Sequence, residues 1–398
     1  MIGAGPAGLI AADVLSRAGA CVTVFDHKPS PARKFLMAGR GGLNLTHSEP
    51  LEVFLTRYGR AAERLAPIIR AFPPERLREF CAELGEETFI GSSGRVFPKS
   101  FKASPLLRAL LARLAGRGVR FERAAFEGFV GDDALSLRRP GDESRPLAPG
   151  AAVLALGGAS WPRLGSDGGW TRPFGALGVA MVPLAPANCG ALIRWSERFR
   201  DAFEGQPIKT ILLRHGAATA RGDLVVTRTG LEGGPAYALA SSLRAEIERG
   251  GGATLSVDLR PDASVAELAQ KLERERGKQS LATFLRKALK LAKIEMALLR
   301  EARPRGLPRE NEALAELIKN IPLGVTGVAG FERAISTSGG VSFDELDAAL
   351  MLKKRPGVFL AGEMLDFDAP TGGYLLQAAF STGFVAGQGA ARYLGLAP

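Results

Sequence analysis

Cysteine is scarce in this 398-residue chain, which contains only Cys21, Cys81 and Cys189. The three residues lie far apart in the sequence and form no C-x-x-C pair. The chain therefore lacks the ligands of a cysteine zinc cage, the pairs of a disulfide framework and the redox-active dithiol of a disulfide reductase. No other metal-binding pattern is predicted.

Long apolar runs and sorting signals are also missing. No stretch approaches the roughly 18 apolar residues that a membrane-spanning helix needs. The first residues lack the charged, apolar and small-residue zones of a signal peptide. There is no internal repeat and no low-complexity segment. The sequence therefore predicts a cytoplasmic globular protein that does not contact a membrane, and its length allows two or three domains.

Acidic residues are fewer than basic ones, 41 against 52, which leaves a formal net charge of +11. A positive potential of this kind attracts polyanions. The basic residues are 39 arginines and 13 lysines spread along the whole chain, and no recognised nucleic-acid-binding module accompanies them. We therefore expect a small-molecule substrate rather than a nucleic acid. The segment 271–305, with eleven basic and four acidic residues, is expected to be a solvated helix face, and a polyanion-binding surface is the alternative.

A glycine-rich loop stands at the start of the chain. Gly3, Gly5 and Gly8 follow the G-x-G-x-x-G spacing and, with Pro6 and Ala7, open a predicted helix over 6–19. Glycines at this spacing allow a tight turn, and the N–H groups at the helix start favour an anion. The loop predicts a pyrophosphate-binding site.

An acidic residue follows at the expected distance. The β-branched run Cys21 to Phe25 predicts a strand that ends at Asp26. A carboxylate about 20 residues beyond the glycine loop accepts hydrogen bonds from ribose hydroxyls. Only Met1 and Ile2 precede Gly3, whereas the first strand of such a unit usually has about 5 residues. We therefore expect the natural chain to start further upstream.

A second loop dense in glycine follows between Lys34 and His47. Successive glycines let N–H groups form an anion-binding nest, and arginine or asparagine side chains add hydrogen bonds to phosphate or ribityl oxygens. The residues of this loop predicted to contact a dinucleotide cofactor are Lys34, Gly39, Arg40, Gly41, Gly42 and Asn44.

The far end of the chain carries a matching pair of signals. A predicted buried strand, Val358 to Ala361, precedes an acidic turn, and a second glycine-rich helix start follows. A carboxylate here can hold a ribityl chain, and a helix N-terminus can stabilise negative charge on a reduced isoalloxazine ring. The predicted cofactor residues are Gly362, Glu363, Asp366, Gly373, Tyr374 and Leu375, together with Gly157 and Gly158 in mid-chain.

These motifs resemble those of a bacterial family of FAD/NAD(P)-binding flavoproteins described as aminoacetone-oxidase-like or bile-acid-reductase-like. The likeness covers nearly the whole chain, because the same motifs occur in the same order in both. The shared motifs are the Gly3 loop, the loop from Lys34 to His47, the segments 94–99 and 102–104, the segments 157–162 and 165–166, the segment 338–341, and the stretch from Gly362 to Gly383.

The resemblance implies an α/β fold with a glutathione-reductase-like Rossmann FAD domain formed by both chain ends. It places the FAD domain at residues 1–187 and 332–398, an inserted β-barrel-like domain at 188–256 and 321–331, and a helical subdomain at 257–320. Two loops differ from the family pattern and predict a separate subfamily. Gly42 and Leu43 stand where relatives carry arginine and cysteine, and Arg228 stands where relatives often carry histidine.

The sequence thus predicts an FAD-dependent oxidoreductase that moves hydride or electron equivalents through the flavin N5 atom. Two versions stay open, an amine oxidase and a reductase supplied by NAD(P)H. No second G-x-G-x-x-G is present for a separate nicotinamide domain. His47, Trp161 and Tyr374 lie near cofactor motifs, but no catalytic acid or base can be assigned. The alternatives are an RNA-binding or RNA-modifying flavoprotein, and a flavin-binding module without turnover.

Overall fold

The computed structural model describes residues 1–39 and 41–397. Its strands are β1 (Thr23–Asp26), β2 (Thr46–His47), β3 (Thr88–Ile90), β4 (Arg95–Pro98), β5 (Arg120–Arg123), β6 (Ala125–Val130), β7 (Ala134–Arg138), β8 (Ser144–Leu147), β9 (Ala152–Leu154), β10 (Met181–Ala187), β11 (Ala191–Ile193), β12 (Pro207–His215), β13 (Ala218–Thr227), β14 (Gly230–Glu232), β15 (Ala253–Asp258), β16 (Ile321–Val328), β17 (Ser336–Val341) and β18 (Val358–Leu360).

Helices precede, separate and follow these strands along the chain. They are α1 (Pro6–Arg17), α2 (Arg33–Ala38), α3 (Leu51–Thr56), α4 (Ala62–Ala71), α5 (Pro74–Glu83), α6 (Ala103–Gly116), α7 (Thr171–Ala176), α8 (Glu197–Phe203), α9 (Gly234–Gly250), α10 (Val265–Leu272), α11 (Leu281–Leu289), α12 (Lys293–Ala302), α13 (Asn311–Lys319) and α14 (Tyr374–Tyr393).

The chain divides into two compact units. The first contains Met1–Pro186 and Ile335–Pro398, and the second contains Ala187–Ala334. Each unit has its own cluster of buried apolar side chains. The finer division of the insert into a barrel-like domain and a helical subdomain stays a prediction.

The first unit contains a parallel sheet. Strand β5 pairs with β1, and β18 pairs with β9. Between β1 and β9 lies the start of the chain, where Ile2 bridges Phe25 on one side and Leu154 on the other. The N–H of Ile2 donates to the carbonyl oxygen of Val153 at 2.9 Å, and the N–H of Gly3 donates to that of Phe25 at 2.8 Å. The central position of the sheet is therefore filled by a very short segment.

Helices α1 and α14 pack closely against each other within this unit. A Cβ atom on Gly383 of α14 would lie 2.2 Å from the carbonyl oxygen of Ala7, and one on Gly387 would lie 3.0 Å from the Cα atom of Ala11. Glycine at these positions lets the two helix backbones approach. This contact joins the beginning and the end of the chain into one Rossmann-type α/β unit.

Smaller sheets complete the first unit. Strands β2, β4 and β3 form one antiparallel sheet, and β6, β7 and β8 form another. Strands β10 and β17 form a two-stranded sheet. The sheet of β2, β4 and β3 continues directly from the second glycine-rich loop.

The second unit contains a closed six-stranded barrel. The strand order is β11, β14, β13, β12, β15 and β16. Helices α10 to α13 lie in the segment where the sequence predicts several helices, and α10 begins with a capping box between Ser264 and Glu267. Helix α9 was not predicted from the sequence, although Pro235 in its first turn and Gly251 just after its end are typical helix boundaries.

Candidate active site

The first glycine loop has a different packing requirement at each glycine. Gly3 has a φ of +97°, and a Cβ atom there would lie 2.2 Å from the carbonyl oxygen of Ala155. A Cβ atom on Gly8 would lie 2.0 Å from the carbonyl oxygen of Gly3. A Cβ atom on Gly5 would meet no described atom within 4 Å. Gly3 and Gly8 therefore permit close packing, while Gly5 borders open space at the helix start.

The N-terminus of α1 carries unpaired backbone donors. Gly5 is the N-cap residue and provides no side-chain cap, and Pro6 occupies the first helical position. Pro6 has no N–H group, and the other first-turn N–H groups, such as that of Ala7, have no partner within the helix. These donors and the positive end of the helix dipole suit a diphosphate.

The Asp26 carboxylate lies beside the same loop. Its Oδ2 atom accepts a hydrogen bond from the N–H of Ala4 at 2.9 Å, and its Oδ1 atom accepts one from the N–H of Lys28 at 2.8 Å. An ionised carboxylate has about four acceptor sites, so acceptor capacity remains for ribose hydroxyls. Asp26 also holds the glycine loop against the end of β1.

The second glycine-rich helix start lies at the head of α14. Gly373 caps this helix with a φ of +97°, and a Cβ atom there would lie 2.5 Å from the Cα atom of Thr46. Tyr374 and Leu375 are the first two helical residues. The side chain of Thr46 is fully buried, and its Oγ1 atom has no hydrogen-bond partner among residues 1–39 and 41–397. A buried hydroxyl and uncapped N–H groups therefore lie together.

Lys34 and Glu363 form the centre of a polar network. The Nζ atom of Lys34 lies 2.5 Å from Oε2 of Glu363 and also donates to the Ser160 hydroxyl. The Oε1 atom of Glu363 accepts the N–H of Thr337 at 3.0 Å, and its Oε2 atom lies 3.4 Å from the N–H of Gly158. Ser160 and Thr337 were not predicted as site residues, because only the fold brings Ser160 to Lys34 and Thr337 to Glu363.

The Ser166 side chain lies against the turn at Gly157, which precedes Gly158 of this network, and carries a second buried hydroxyl without a described partner. Gly157 has a φ of +73°, and a Cβ atom there would lie 3.0 Å from Oγ of Ser166. The Ser166 hydroxyl is buried and has no partner in the part of the chain that the structure describes. The indole N–H of Trp170 donates to the carbonyl oxygen of Gly157 at 2.8 Å, which fixes the turn.

The glycines of the second loop lie in different surroundings. A Cβ atom on Gly39 would lie 2.7 Å from that of Ala103, so Gly39 allows α2 to meet α6. A Cβ atom on Gly41 would meet no described atom within 4 Å. Gly42 has a φ of +112°, and its Cβ atom would lie 3.2 Å from the ring of Phe101. Arg40 lies outside the described residues.

Asn44 has a structural task that its sequence position does not indicate. Its Nδ2 atom donates to the carbonyl oxygens of Thr46 at 2.8 Å and Val96 at 3.2 Å. From its place in the loop, this side chain is expected to bond to a phosphate or ribityl oxygen. In the structure both donors of the amide instead tie the loop to strands β2 and β4.

Gly362 and Asp366 lie after strand β18. The N–H of Gly362 donates to Oγ1 of Thr382 at 2.9 Å, and a Cβ atom on Gly362 would lie 3.0 Å from Cβ of Ala7. The Oδ1 atom of Asp366 accepts a hydrogen bond from Arg60 at 2.6 Å. Burial raises the pKa of the Asp366 carboxyl, and Arg60 opposes that change. Gly362 thus joins the acidic turn to the first helix start.

Tyr374 belongs to a second polar cluster, which the sequence did not reveal. Its hydroxyl donates to Oε1 of Glu49 at 2.8 Å, and Arg57 binds both oxygens of Glu49 at 3.0 and 2.6 Å. The ring of His47 stacks on that of Tyr374, with centroids 5.6 Å apart. Burial, followed by the Glu49 carboxylate, raises the pKa of the Tyr374 hydroxyl, which therefore stays protonated at neutral pH.

His47 has a partner at each ring nitrogen. Its Nδ1 atom accepts the N–H of Glu49 at 3.1 Å, and its Nε2 atom lies 3.0 Å from the carbonyl oxygen of Ser93. Both ring nitrogens are thus engaged with the backbone, and the stacked His47 ring positions the ring of Tyr374.

The Glu49 cluster predicts a pH-dependent contribution to stability. The hydrogen-bonded Arg57 guanidinium holds the pKa of Glu49 below its ordinary value. Glu49 therefore stabilises the fold at neutral pH, and this contribution disappears as the pH falls from the ordinary carboxyl pKa toward the lower folded value. We expect Glu49→Gln to lower the free energy of unfolding at pH 7 by about 1 kcal/mol or less and to flatten this acid-induced loss.

Chemical denaturation between pH 7 and pH 3 measures the effect. The control is Glu52→Gln, because the Glu52 side chain is 76% exposed and pairs with exposed Arg70. A Glu49→Gln variant with the wild-type acid profile contradicts the proposed electrostatic role.

The described residues offer neither a membrane-spanning helix nor a metal site. No helix in the described residues combines the length and apolar character that crossing a bilayer requires. The described residues also contain no group of three or more histidine, cysteine, aspartate or glutamate side chains placed to hold a metal ion.

Comparison with protein families gives a match across almost the entire chain. The model of the HI0933-like protein Rossmann domain matches residues 1–389. The chain is 27% identical, over an alignment 418 positions long, to the 3-dehydro-bile acid delta(4,6)-reductase of Clostridium scindens, with 98% of each protein covered. It is 25% identical over 400 residues to the ribosomal RNA dihydrouridine synthase of Haemophilus influenzae, with 96% of each covered.

Solved structures show the same fold. The 3-ketosteroid delta1-dehydrogenase of Sterolibacterium denitrificans superposes with a TM-score of 0.56, and the alignment covers 98% of each chain. The two sequences are only 14% identical, so this likeness concerns the fold alone.

Proposed function

The chain belongs to the HI0933-like Rossmann-domain family and is an FAD-dependent oxidoreductase, and we propose that it reduces a carbon–carbon double bond conjugated to a carbonyl group in a rigid polycyclic acid. In this proposal NAD(P)H supplies the electrons. The observation that carries the FAD assignment is the direct packing of α1 on α14, because it joins two glycine-rich helix starts in one unit.

The residues of the first unit fit FAD. Gly5 leaves open space at the start of α1, where the uncapped N–H groups suit the pyrophosphate. Asp26 retains acceptor sites for a ribose. The buried hydroxyls of Thr46 and Ser166 have no partner among the described residues, and a polar ligand would satisfy them.

The other residues predicted from the sequence are assigned to the successive parts of FAD. In the proposal, Pro6, Ala7 and Gly8 complete the pyrophosphate loop, and Gly157 and Gly158 allow close approach beside it. The Lys34 ammonium would donate to a phosphate or ribityl oxygen, and the carboxylates of Glu363 and Asp366 would accept hydrogen bonds from ribityl hydroxyls. The second glycine loop and the helix start at Gly373, Tyr374 and Leu375 face the isoalloxazine ring.

When bound, FAD supplies a hydride donor and acceptor at its N5 atom. The uncapped N–H groups at the head of α14 stabilise negative charge next to Leu375. The Lys34–Glu363 ion pair holds the Gly158 turn in place. The hydroxyl of Tyr374 is committed to Glu49, so Tyr374 orients the helix start and does not protonate the substrate.

The substrate class comes from the curated relative named 3-dehydro-bile acid delta(4,6)-reductase, which this chain matches over 98% of both sequences. That name describes reduction of ring double bonds in an oxidised bile acid. It favours the reductase version over the amine-oxidase version. A conjugated double bond accepts hydride at the carbon remote from the carbonyl, and a proton drawn from solvent water adds at the neighbouring carbon to complete the saturated bond.

The electron donor can be identified with the purified protein under anaerobic conditions. We expect NADPH or NADH to bleach the bound flavin within seconds, whereas primary amines such as aminoacetone leave the absorption band unchanged. Acid release of the cofactor should give FAD at about one per chain. Bleaching by the amines alone would instead assign the oxidase version, and release of no FAD would refute the cofactor assignment.

RNA modification is a second candidate function. Two relatives bear the name ribosomal RNA dihydrouridine synthase. The eleven basic residues of segment 271–305 are all exposed, and none forms an ion pair within residues 1–39 and 41–397. Salt-sensitive retardation of a uridine-rich single-stranded RNA in a native gel supports this candidate, whereas unchanged RNA migration at low salt contradicts it.

A further inference from the structure

One outer face of the β2–β4–β3 sheet is aromatic. Phe89 of β3 lies opposite Phe97 of β4, and Arg95 of β4 lies opposite His47 of β2. Alternate residues of a strand share one face, so these four side chains lie on the same side of the sheet. Val96, on the opposite side, is fully buried. The side that carries the aromatic rings is therefore the outer one.

Three phenylalanines form a continuous surface on this face. The ring centroids of Phe89 and Phe97 are 5.8 Å apart, those of Phe89 and Phe101 are 5.0 Å apart, and those of Phe97 and Phe101 are 5.5 Å apart. Phe89 and Phe97 are half-buried, and Phe101 is 49% exposed. We call Phe89, Phe97 and Phe101 the phenylalanine platform.

The backbone holds Phe101 in this exposed position despite a conformational cost. Phe101 has a φ of +58°, in the left-handed region that is unfavourable for a bulky side chain. Its N–H donates to the carbonyl oxygen of Pro98 at 2.8 Å, and its own carbonyl oxygen accepts the N–H of Leu43 at 2.9 Å. The fold thus fixes an apolar ring that it does not bury.

The phenylalanine platform adjoins residues proposed to hold the cofactor. A Cβ atom on Gly42 would lie 3.2 Å from the ring of Phe101 and 3.7 Å from that of Phe97. On its other side the same face continues to His47, which stacks on Tyr374. The apolar surface therefore extends between the second glycine loop and the head of α14.

Arg95 adds a positive charge to the face. It is exposed and forms no ion pair in the part of the chain that the structure describes. Its position two residues before Phe97 in strand β4 places both side chains on one face. An apolar ring surface beside an unpaired cation complements a molecule with a rigid hydrocarbon body and an anionic end.

We propose that the phenylalanine platform binds the ring system of the substrate and that Arg95 binds its carboxylate. This inference rests on the proposed reductase function and assigns the recognition of its substrate to named residues. The phenylalanine rings contribute apolar contact to any flat or rigid hydrocarbon body. Arg95 makes the site prefer a carboxylic acid over its neutral derivatives. Glycine at position 42 leaves the edges of Phe101 and Phe97 uncovered.

The test uses the FAD-loaded protein and two probes, a 3-oxo-4-ene bile acid and its methyl ester. Binding is followed by the change in the flavin absorption spectrum. We expect Phe97→Ala to raise the Kd of both probes at least about tenfold. Arg95→Gln should raise the Kd of the acid about tenfold and that of the ester less than about twofold. Phe121→Ala is the control, because Phe121 is 41% exposed in β5 and lies away from this face.

Melting temperature and FAD content identify a variant that has lost its fold. If Phe97→Ala unfolds, the acid-to-ester comparison in Arg95→Gln still decides the assignment. Unchanged Kd values in both variants, absence of binding to the wild type, or Phe97-dependent binding of single-stranded RNA alone would each overturn the proposal. Failure of the proposed reductase function gives a different result. In that case neither NADH nor NADPH reduces the flavin, but the bile-acid probes still bind.

Discussion

Gly5→Val should abolish FAD binding while the protein remains folded. A Cβ atom at Gly5 meets no described atom within 4 Å, and the backbone there is extended, with φ −82° and ψ −178°. Valine adopts this conformation readily, so the first unit can fold around it. Its methyl groups would fill the space at the start of α1 that we assign to the pyrophosphate.

We expect FAD content after purification to fall below about a tenth of the wild-type value. The variant should also lose the stabilisation that a tightly bound ligand gives, which is about 3–4 kcal/mol at 100 to 1,000 times Kd. Fluorescence titration with FAD and thermal melts with and without added FAD measure both effects.

Gly116→Val is the matched control. Gly116 is an exposed helical residue in the same unit, and a Cβ atom there also meets nothing within 4 Å. This variant should keep its full FAD content. Wild-type FAD affinity in Gly5→Val would show that the start of α1 does not hold the cofactor.

Gly383→Leu should destabilise the first unit strongly. A Cβ atom there would lie 2.2 Å from the carbonyl oxygen of Ala7 and 2.6 Å from Cγ2 of Ile10. One of these neighbours is backbone, so relief requires α1 and α14 to separate. Overpacking that shifts the backbone typically costs about 1–3 kcal/mol and occasionally more, and we expect a loss of about 3 kcal/mol here because four side-chain heavy atoms are added at a backbone contact. Because both helices begin at proposed cofactor loops, the FAD content should fall together with the midpoint of denaturant unfolding.

The control for this substitution is Gly116→Leu, which adds the same side chain to an exposed helix. A Gly383→Leu variant that keeps the wild-type unfolding midpoint and FAD content would show that the close α1–α14 contact is not needed. The two glycine variants also differ from each other, since Gly5→Val spares the fold and Gly383→Leu does not.

The glycine-rich helix starts were predictable because their chemistry is local. Gly3 and Gly373 are required by the backbone conformation of a few neighbouring residues, and their spacing is visible in the sequence. A β-barrel-like insert was expected only from the family resemblance, and the structure has a closed six-stranded barrel in this part of the chain.

The polar networks were not predictable from the sequence. Lys34, Ser160 and Glu363 are separated by more than a hundred residues at each step, and only the packed sheet brings them together. Neither Ser160 nor Thr337 stands in a motif with its own chemical signature. A backbone role of Asn44 is equally hidden, since an amide in a glycine-rich loop suits a phosphate as well as a carbonyl group.

The sequence also gave no reason to connect Phe89, Phe97 and Phe101. Their common surface depends on strand register and on the left-handed conformation of Phe101. In the sequence, Phe97 stands out only as part of segment 94–99, one of the motifs that carry the family resemblance.

The oxidative half-reaction tests the account most directly. The FAD-loaded protein is reduced anaerobically with one equivalent of NADPH and then mixed with the 3-oxo-4-ene bile acid or with uridine-rich single-stranded RNA. We predict that the oxidised flavin spectrum returns with the bile acid and that one equivalent of ring-saturated product forms. Reoxidation by the RNA alone, or by neither acceptor, would contradict a small-molecule reductase.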